Sequence, residues 1–194
     1  MKLVLDKSAF EAAPECLGVL IGLAAADFAF LRENYPGFDS WLQKKVLPGI
    51  TSGERTVVLE MREGRLIGLL ILKHTKFERK LCTLRVRPEF ECRGLGVRLF
   101  ESAFEILGTA QPLLSVSDFS LPKFSRLFDH FGFACEGSYR KLYTPRSTEF
   151  AFNGLLINDR QVNASESSAR IPASLLVRGK RLQRSCSLPE VRAV

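Results

Sequence analysis

The sequence predicts a mixed α/β fold, a β-sheet covered by helices, and three observations carry that prediction. Short apolar runs of strand composition are separated by turn residues. Two segments repeat apolar residues at three- and four-residue steps, as amphipathic helices do. Between residues 81 and 107, a strand-like run (Leu84, Val86), a turn carrying Arg93, Gly94, Leu95 and Gly96, and a helix-patterned segment follow one another directly. At 194 residues the chain has room for one domain of ordinary size plus an appendage. Its 15 phenylalanines are what helices packed on a sheet would bury.

In chain order, residues 3–5 read as a strand and 16–31 as mostly helix. Asn34, Tyr35, Pro36 and Gly37 form a strong turn signal. A short helix over 39–46 is begun by Asp39 or Ser40 and stopped before Pro48 and Gly49. Residues 56–72 read as a hairpin, with Glu63 and Gly64 turning between apolar runs 57–61 and 66–72. The next strand ends at Arg87 and Pro88. After the glycine turn, Val97, Phe100, Ala103, Phe104 and Leu107 form one helical face. A strand over 112–116 follows, then a helix with Leu121, Phe124, Leu127, Phe128 and Phe131 on one face, ending at Gly132. Strands over 133–143 and 149–157 close the domain, which is expected to span residues 1–158.

The glycine turn is a recipe for holding a pyrophosphate. Glycine lets the backbone approach an anion and take positive φ. The following helix offers unpaired N–H groups and the positive end of its dipole. Arg87, Arg93 and Arg98 bracket the turn and add positive field. There is no third glycine for a dinucleotide turn and no Gly-Lys-Ser/Thr for a nucleoside triphosphate loop.

Glu91, Cys92, Arg93, Gly94, Leu95 and Gly96, following Val86, Arg87 and Pro88, resemble the acyl-CoA signature of the GCN5-related N-acetyltransferase (GNAT) superfamily. The order of elements over residues 50–157 resembles that family too, including the Gly132-Phe133 close of the second helix. The resemblance implies a mostly antiparallel sheet with one splayed parallel strand pair and helices on both faces. It implies acetyl-CoA, or another acyl-CoA, as cosubstrate, held by Leu84, Val86, Arg87, Cys92, Arg93, Gly94, Leu95, Gly96, Val97 and Arg98. Main-chain groups around 84–86 would pair with pantetheine like an added strand, in a slot between the strand ending near Arg87 and the one starting near Pro112. An N–H there would polarise the thioester carbonyl, and an amine would attack directly. The implied activity is N-acetyl transfer to a primary amine.

Three positions depart from the pattern. Glu91 stands where the family usually has Gln or Arg, and reads as a solvated loop carboxylate. Phe128 stands where many members carry a tyrosine near the thiol, and phenylalanine cannot donate a proton; Leu121 replaces a frequent asparagine. A catalytically silent acyl-CoA-binding or interaction module is the alternative these departures motivate. The general base and acid are not legible. Ser117 is a weak catalytic candidate, with Asp118 beside it and Glu60 acting through water; His74 and His130 fall away from the slot. Tyr35, Phe38 and Trp41 are candidates to line the acceptor channel, with packing on the sheet edge the other reading for Trp41.

The five cysteines are scattered without a Cys-x-x-Cys pair, so neither a zinc site nor a disulfide framework is indicated, and a cytoplasmic setting with reduced thiols is expected. The longest uncharged run near the N-terminus, 16–26, is too short to span a bilayer, and the start has no signal-peptide pattern. Residues 159–194 are expected to form a basic, Ser/Arg-rich extension. From 161 onward six arginines and lysines face two glutamates, which is +4 of the chain's net +7. Such a tail leaves nucleic acid open as a partner, although it lacks aromatic residues for base stacking. Residues 171–177 read as one short apolar element, and the late strands leave a homodimer open.

Overall fold

The computed structural model describes residues 1–156. The boundary expected after residue 158, the basic extension and the element expected over 171–177 lie outside the described residues. One seven-stranded sheet organises the chain. Its strands run in the order β1 (Lys2–Leu5), β2 (Arg55–Arg62), β3 (Arg65–His74), β4 (Arg79–Val86), β5 (Leu113–Ser117), β7 (Thr148–Phe152) and β6 (Cys135–Arg140). Every neighbouring pair is antiparallel except β4 and β5. The β2–β3 hairpin turns where the sequence indicates. Glu63 and Gly64 both take positive φ, 51° and 75°, as a two-residue turn matched to strand twist requires.

The feature that positions the site is the shortness of the parallel pairing. β4 and β5 are joined only at Lys80↔Leu113 and Leu81↔Leu114. Beyond that, β4 stays with β3 as far as Val86↔Gly68, while β5 follows β7 to Ser117↔Glu149. Cys82 is the extra residue of a bulge, between the pairs Leu72↔Leu81 and Ile71↔Thr83. A bulge bends its strand and increases its twist, here at the point where β4 parts from β5. The edge of β4 from Cys82 to Val86 is left without a strand partner on that side.

Each face of the sheet has its own core. On one face lie α6 (Leu95–Leu107) and α7 (Leu121–Phe131), burying Leu95, Leu99, Phe100, Ala103 and Leu107 against Val58, Leu70 and Leu84. Phe100 meets the rings of Phe104, Phe128, Phe131 and Phe133, with centroids between 5.4 and 6.3 Å apart. The buried stripe of α6 keeps the expected Phe100, Ala103 and Leu107 and adds Leu95 and Leu99, while Val97 and Phe104 are only partly covered. On the other face, α1 (Lys7–Ala12), α2 (Pro14–Asp27), α3 (Leu31–Asn34), α4 (Phe38–Trp41) and α5 (Leu47–Ser52) cover Val57, Leu59, Leu69 and Ile71.

The N-terminal helices differ from expectation in two places. α1 has no strong apolar period; Asp6 starts it by accepting a hydrogen bond from the Ala9 N–H at 3.0 Å. The helix expected to stop before Pro48 instead runs on. A π-helical turn, Leu42–Val46, links α4 to α5, with the Leu47 N–H bonded to the Leu42 carbonyl. Pro48 then sits in the first turn of α5, where its missing donor costs nothing.

Candidate functional site

Where β4 and β5 diverge, a cavity of about 350 Å³ passes between the two faces of the sheet. Its walls follow from strand alternation. Leu84 and Val116, with Phe100, Phe124 and Phe128 from α6 and α7, make an apolar side. Thr83, Arg85, Ser115 and Glu149 make a polar side, roofed by Tyr35, Trp41 and Tyr143. The family resemblance implied such a slot, and Tyr35, Phe38 and Trp41 do line it; Trp41 also takes the Arg55 guanidinium over its ring at 5.4 Å.

Glu149 is the unusual group. It stands in β7 among Phe150, Ala151 and Phe152, is 1% exposed, and points to the polar side of the slot. Its Oε1 accepts a long hydrogen bond from the Tyr35 hydroxyl, 3.4 Å, and its buried Oε2 has no hydrogen-bond partner among the described residues. Burial pushes its pKa above the ordinary glutamate value; the Ser115 and Tyr35 hydroxyls and the Arg85 charge oppose that shift. Sequence reasoning missed Glu149 as a site residue. Its signal was a lone carboxylate inside an apolar strand.

Arg85 was missed too. Its side chain lies in the slot, Nη1 donates to the Leu84 carbonyl at 2.8 Å, and its guanidinium carbon is 5.7 Å from the Phe124 ring centroid. Burial lowers its pKa, while the neighbouring Tyr35 and the Glu149 charge act the other way. Tyr35 thus neighbours both a half-buried cation and a buried carboxylate.

The glycine turn lies at the far end of β4. Gly94 takes φ 74° and starts α6 without a side-chain cap, so the first N–H groups of the helix are open to a ligand. Cys92 also has positive φ, 59°. Gly96, expected to share that conformation, is instead an ordinary residue of α6, and a Cβ there would meet Leu127 at 3.5 Å. The Leu95 side chain belongs to the core, and no side chain caps the N–H groups that open the helix. Arg98 is exposed on α6, and Arg93 lies over the Phe90 ring at 5.7 Å. Arg87 is held by Asp27 and Glu89 at 3.4 and 3.5 Å, so much of its field is already neutralised. Glu91 is 41% exposed and pairs with Lys123 at 3.6 Å, which offsets its repulsion of an anion.

Of the sequence-derived catalytic candidates, Ser117 comes nearest to the site. It is fully buried opposite Glu149 in the β5–β7 ladder, behind the cavity wall rather than in it. Asp118 is occupied by backbone, accepting from the N–H groups of Phe119 and Thr148 at 2.9 and 3.3 Å. Glu60 lies on the α6 face of β2, its Cβ 3.2 Å from the Cβ position of Gly68, away from the slot. His74 bonds Thr56 at 2.9 Å at the end of β3, and His130 is exposed at the end of α7.

No family model matches the chain, and no curated protein matches it in sequence. Solved structures do match in backbone. An aminoglycoside 6'-N-acetyltransferase complexed with coenzyme A superposes with TM-score 0.52 at 12% identity, over 72% of this chain and 94% of that one. A GNAT-family acetyltransferase from Bacillus cereus gives 0.45 at 19% identity, over 57% and 76%. One from Elizabethkingia anophelis with acetyl-CoA bound gives 0.45 at 14%, over 56% and 80%. With its splayed β4–β5 pair and a glycine turn opening α6, the chain has the fold of the GCN5-related N-acetyltransferase superfamily.

Proposed function

We propose that the protein is a member of that superfamily in function as well as fold: an acyl-CoA-dependent N-acyltransferase that moves acetyl from acetyl-CoA to a primary amine. One observation carries the reading. The unpaired edge of β4 opens into a cavity that ends on a buried carboxylate with a free oxygen, Glu149. The parts needed to hold the donor are present. The first N–H groups of α6 suit a pyrophosphate, and the main chain of Cys82 to Val86 suits the two amides of pantetheine. The apolar side of the slot, with Phe124 and Phe128, suits the thioester end.

When bound, the donor supplies an acyl carbonyl activated by a thiolate leaving group. Glu149 takes a proton from the incoming ammonium, freeing its lone pair. The nitrogen attacks the thioester carbonyl carbon, the C–N bond forms and the C–S bond breaks. The second nitrogen proton goes to the departing thiolate, and Glu149 returns its own to solvent. An N–H on the open β4 edge stabilises the oxyanion. Phe128 cannot protonate the thiolate, so that proton arrives from the amine or from water.

The test is release of free thiol from acetyl-CoA across a panel of primary amines. Acceptor-dependent release supports the proposal. Saturable acetyl-CoA binding with no release from any amine marks the silent binding module instead.

A further inference from the structure

Beside the Glu149 carboxylate, the polar side of the slot carries a cation, Arg85, that the transfer reaction does not by itself require. Resting on the reading above, we propose that the acceptor is a small amine that also bears a carboxylate, as an α-amino acid does: Arg85 receives the carboxylate, and Glu149 faces the ammonium. The Arg85 side chain lies inside the slot, on the stretch of β4 whose main chain is expected to hold the donor. A guanidinium carries five N–H donors in a rigid fork suited to a planar carboxylate. One of these is committed to the Leu84 carbonyl. The other carboxylates near Arg85 are committed elsewhere: Glu78 to Lys73 and Lys80, and Glu91 to Lys123.

Glu149 does not neutralise Arg85 by an ion pair. Tyr35 neighbours both, and its hydroxyl donates to Glu149. A cation and an anion held apart on one wall present the charge order of a zwitterion reversed. Each half of an amino acid then finds its opposite. The rim extends this preference, since Arg55, Lys73 and Lys80 outnumber Glu78 there. The size of the cavity, about 350 Å³, also favours a small acceptor.

Such a site rejects an amine lacking the carboxylate, because Arg85 is then left desolvated without its counter-ion. The experiment measures thiol release from acetyl-CoA with the twenty standard L-amino acids and with the amine obtained by decarboxylating each active one. At least one amino acid is expected to be turned over, with kcat/KM at least about 30-fold above its decarboxylated partner. In Arg85→Gln that preference should collapse, through KM for the amino acid more than through kcat, while KM for acetyl-CoA stays within about threefold. Arg85→Lys, which keeps the charge, should restore part of it. Equal turnover of the decarboxylated amines, or an unchanged preference in Arg85→Gln, overturns the proposal. So does release with other amines but with no amino acid, an outcome that leaves the acyltransferase reading standing. Failure to bind acetyl-CoA at all overturns both.

Discussion

The hydroxyl of Tyr35 donates to Oε1 of Glu149 across 114 residues of sequence, at 3.4 Å. That contact ties the loop between α3 and α4 to the start of β7 and closes the slot from above. It also engages one oxygen of the carboxylate and leaves the other, Oε2, buried without a hydrogen-bond partner among the described residues. Structure and proposed chemistry meet at this pair.

If Glu149 is the proton acceptor, Glu149→Gln keeps the shape and loses the base. Turnover should fall at least about 100-fold, with KM for acetyl-CoA unchanged. Steady-state kinetics with both substrates varied checks this. A fall of less than about threefold would remove Glu149 from the mechanism.

The raised pKa of Glu149 makes two pH predictions of opposite sense. Activity needs the carboxylate, so kcat/KM should drop as pH falls through the raised value. Stability runs the other way. Between the ordinary glutamate pKa and the raised one, the native state holds a proton that the unfolded chain has lost. The stability this group contributes below that window is therefore lost as pH rises through it. Thermal melts should show Glu149→Gln gaining on the wild type from acidic to neutral pH.

Gly94 and Gly96 are expected to separate backbone strain from ligand contact. At φ 74°, Gly94→Ala should cost roughly 1–2 kcal/mol of stability, although no atom lies within 4 Å of the added Cβ. In helical Gly96, alanine meets only an ordinary contact with Leu127. Gly96→Ala should melt no lower than the wild type, and higher by up to about 1 kcal/mol. Denaturant unfolding of the two variants compares them directly.

Gly68 is where α6 comes closest to β3. A Cβ there would lie 3.2 Å from the Glu60 Cβ and 3.3 Å from Leu99 Cδ1. Gly68→Val should therefore destabilise the fold by about 1–3 kcal/mol. Because α6 carries the glycine turn, weaker acetyl-CoA binding should accompany the loss.

The sheet, its hairpin and the two phenylalanine-rich helices were legible because their signals are local. Glu63 and Gly64 announce a turn, and Phe100 and Phe128 fall on apolar stripes that face each other in the core. The glycine turn was legible by its spacing, although only Gly94 takes the positive φ expected of both glycines. The continuation of the helix through Pro48 was not, since a proline reads as a stop unless the next helix begins at it. The polar wall was the least legible part. Arg85 looks like any alternating strand residue, and Glu149 like the exposed start of a strand. Only the splay of β4 from β5, a long-range property of pairing, turns both toward one cavity. Ser117, the candidate read from the sequence, is the cross-strand partner of Glu149.

The most direct test of the account is a calorimetric titration with acetyl-CoA of the wild type and of a Gly94→Glu, Gly96→Glu double variant, each with its melting curve. The account predicts saturable binding by the wild type, abolished in a variant that still melts cooperatively. No heat of binding at millimolar acetyl-CoA, from a wild-type protein that melts cooperatively, would contradict it.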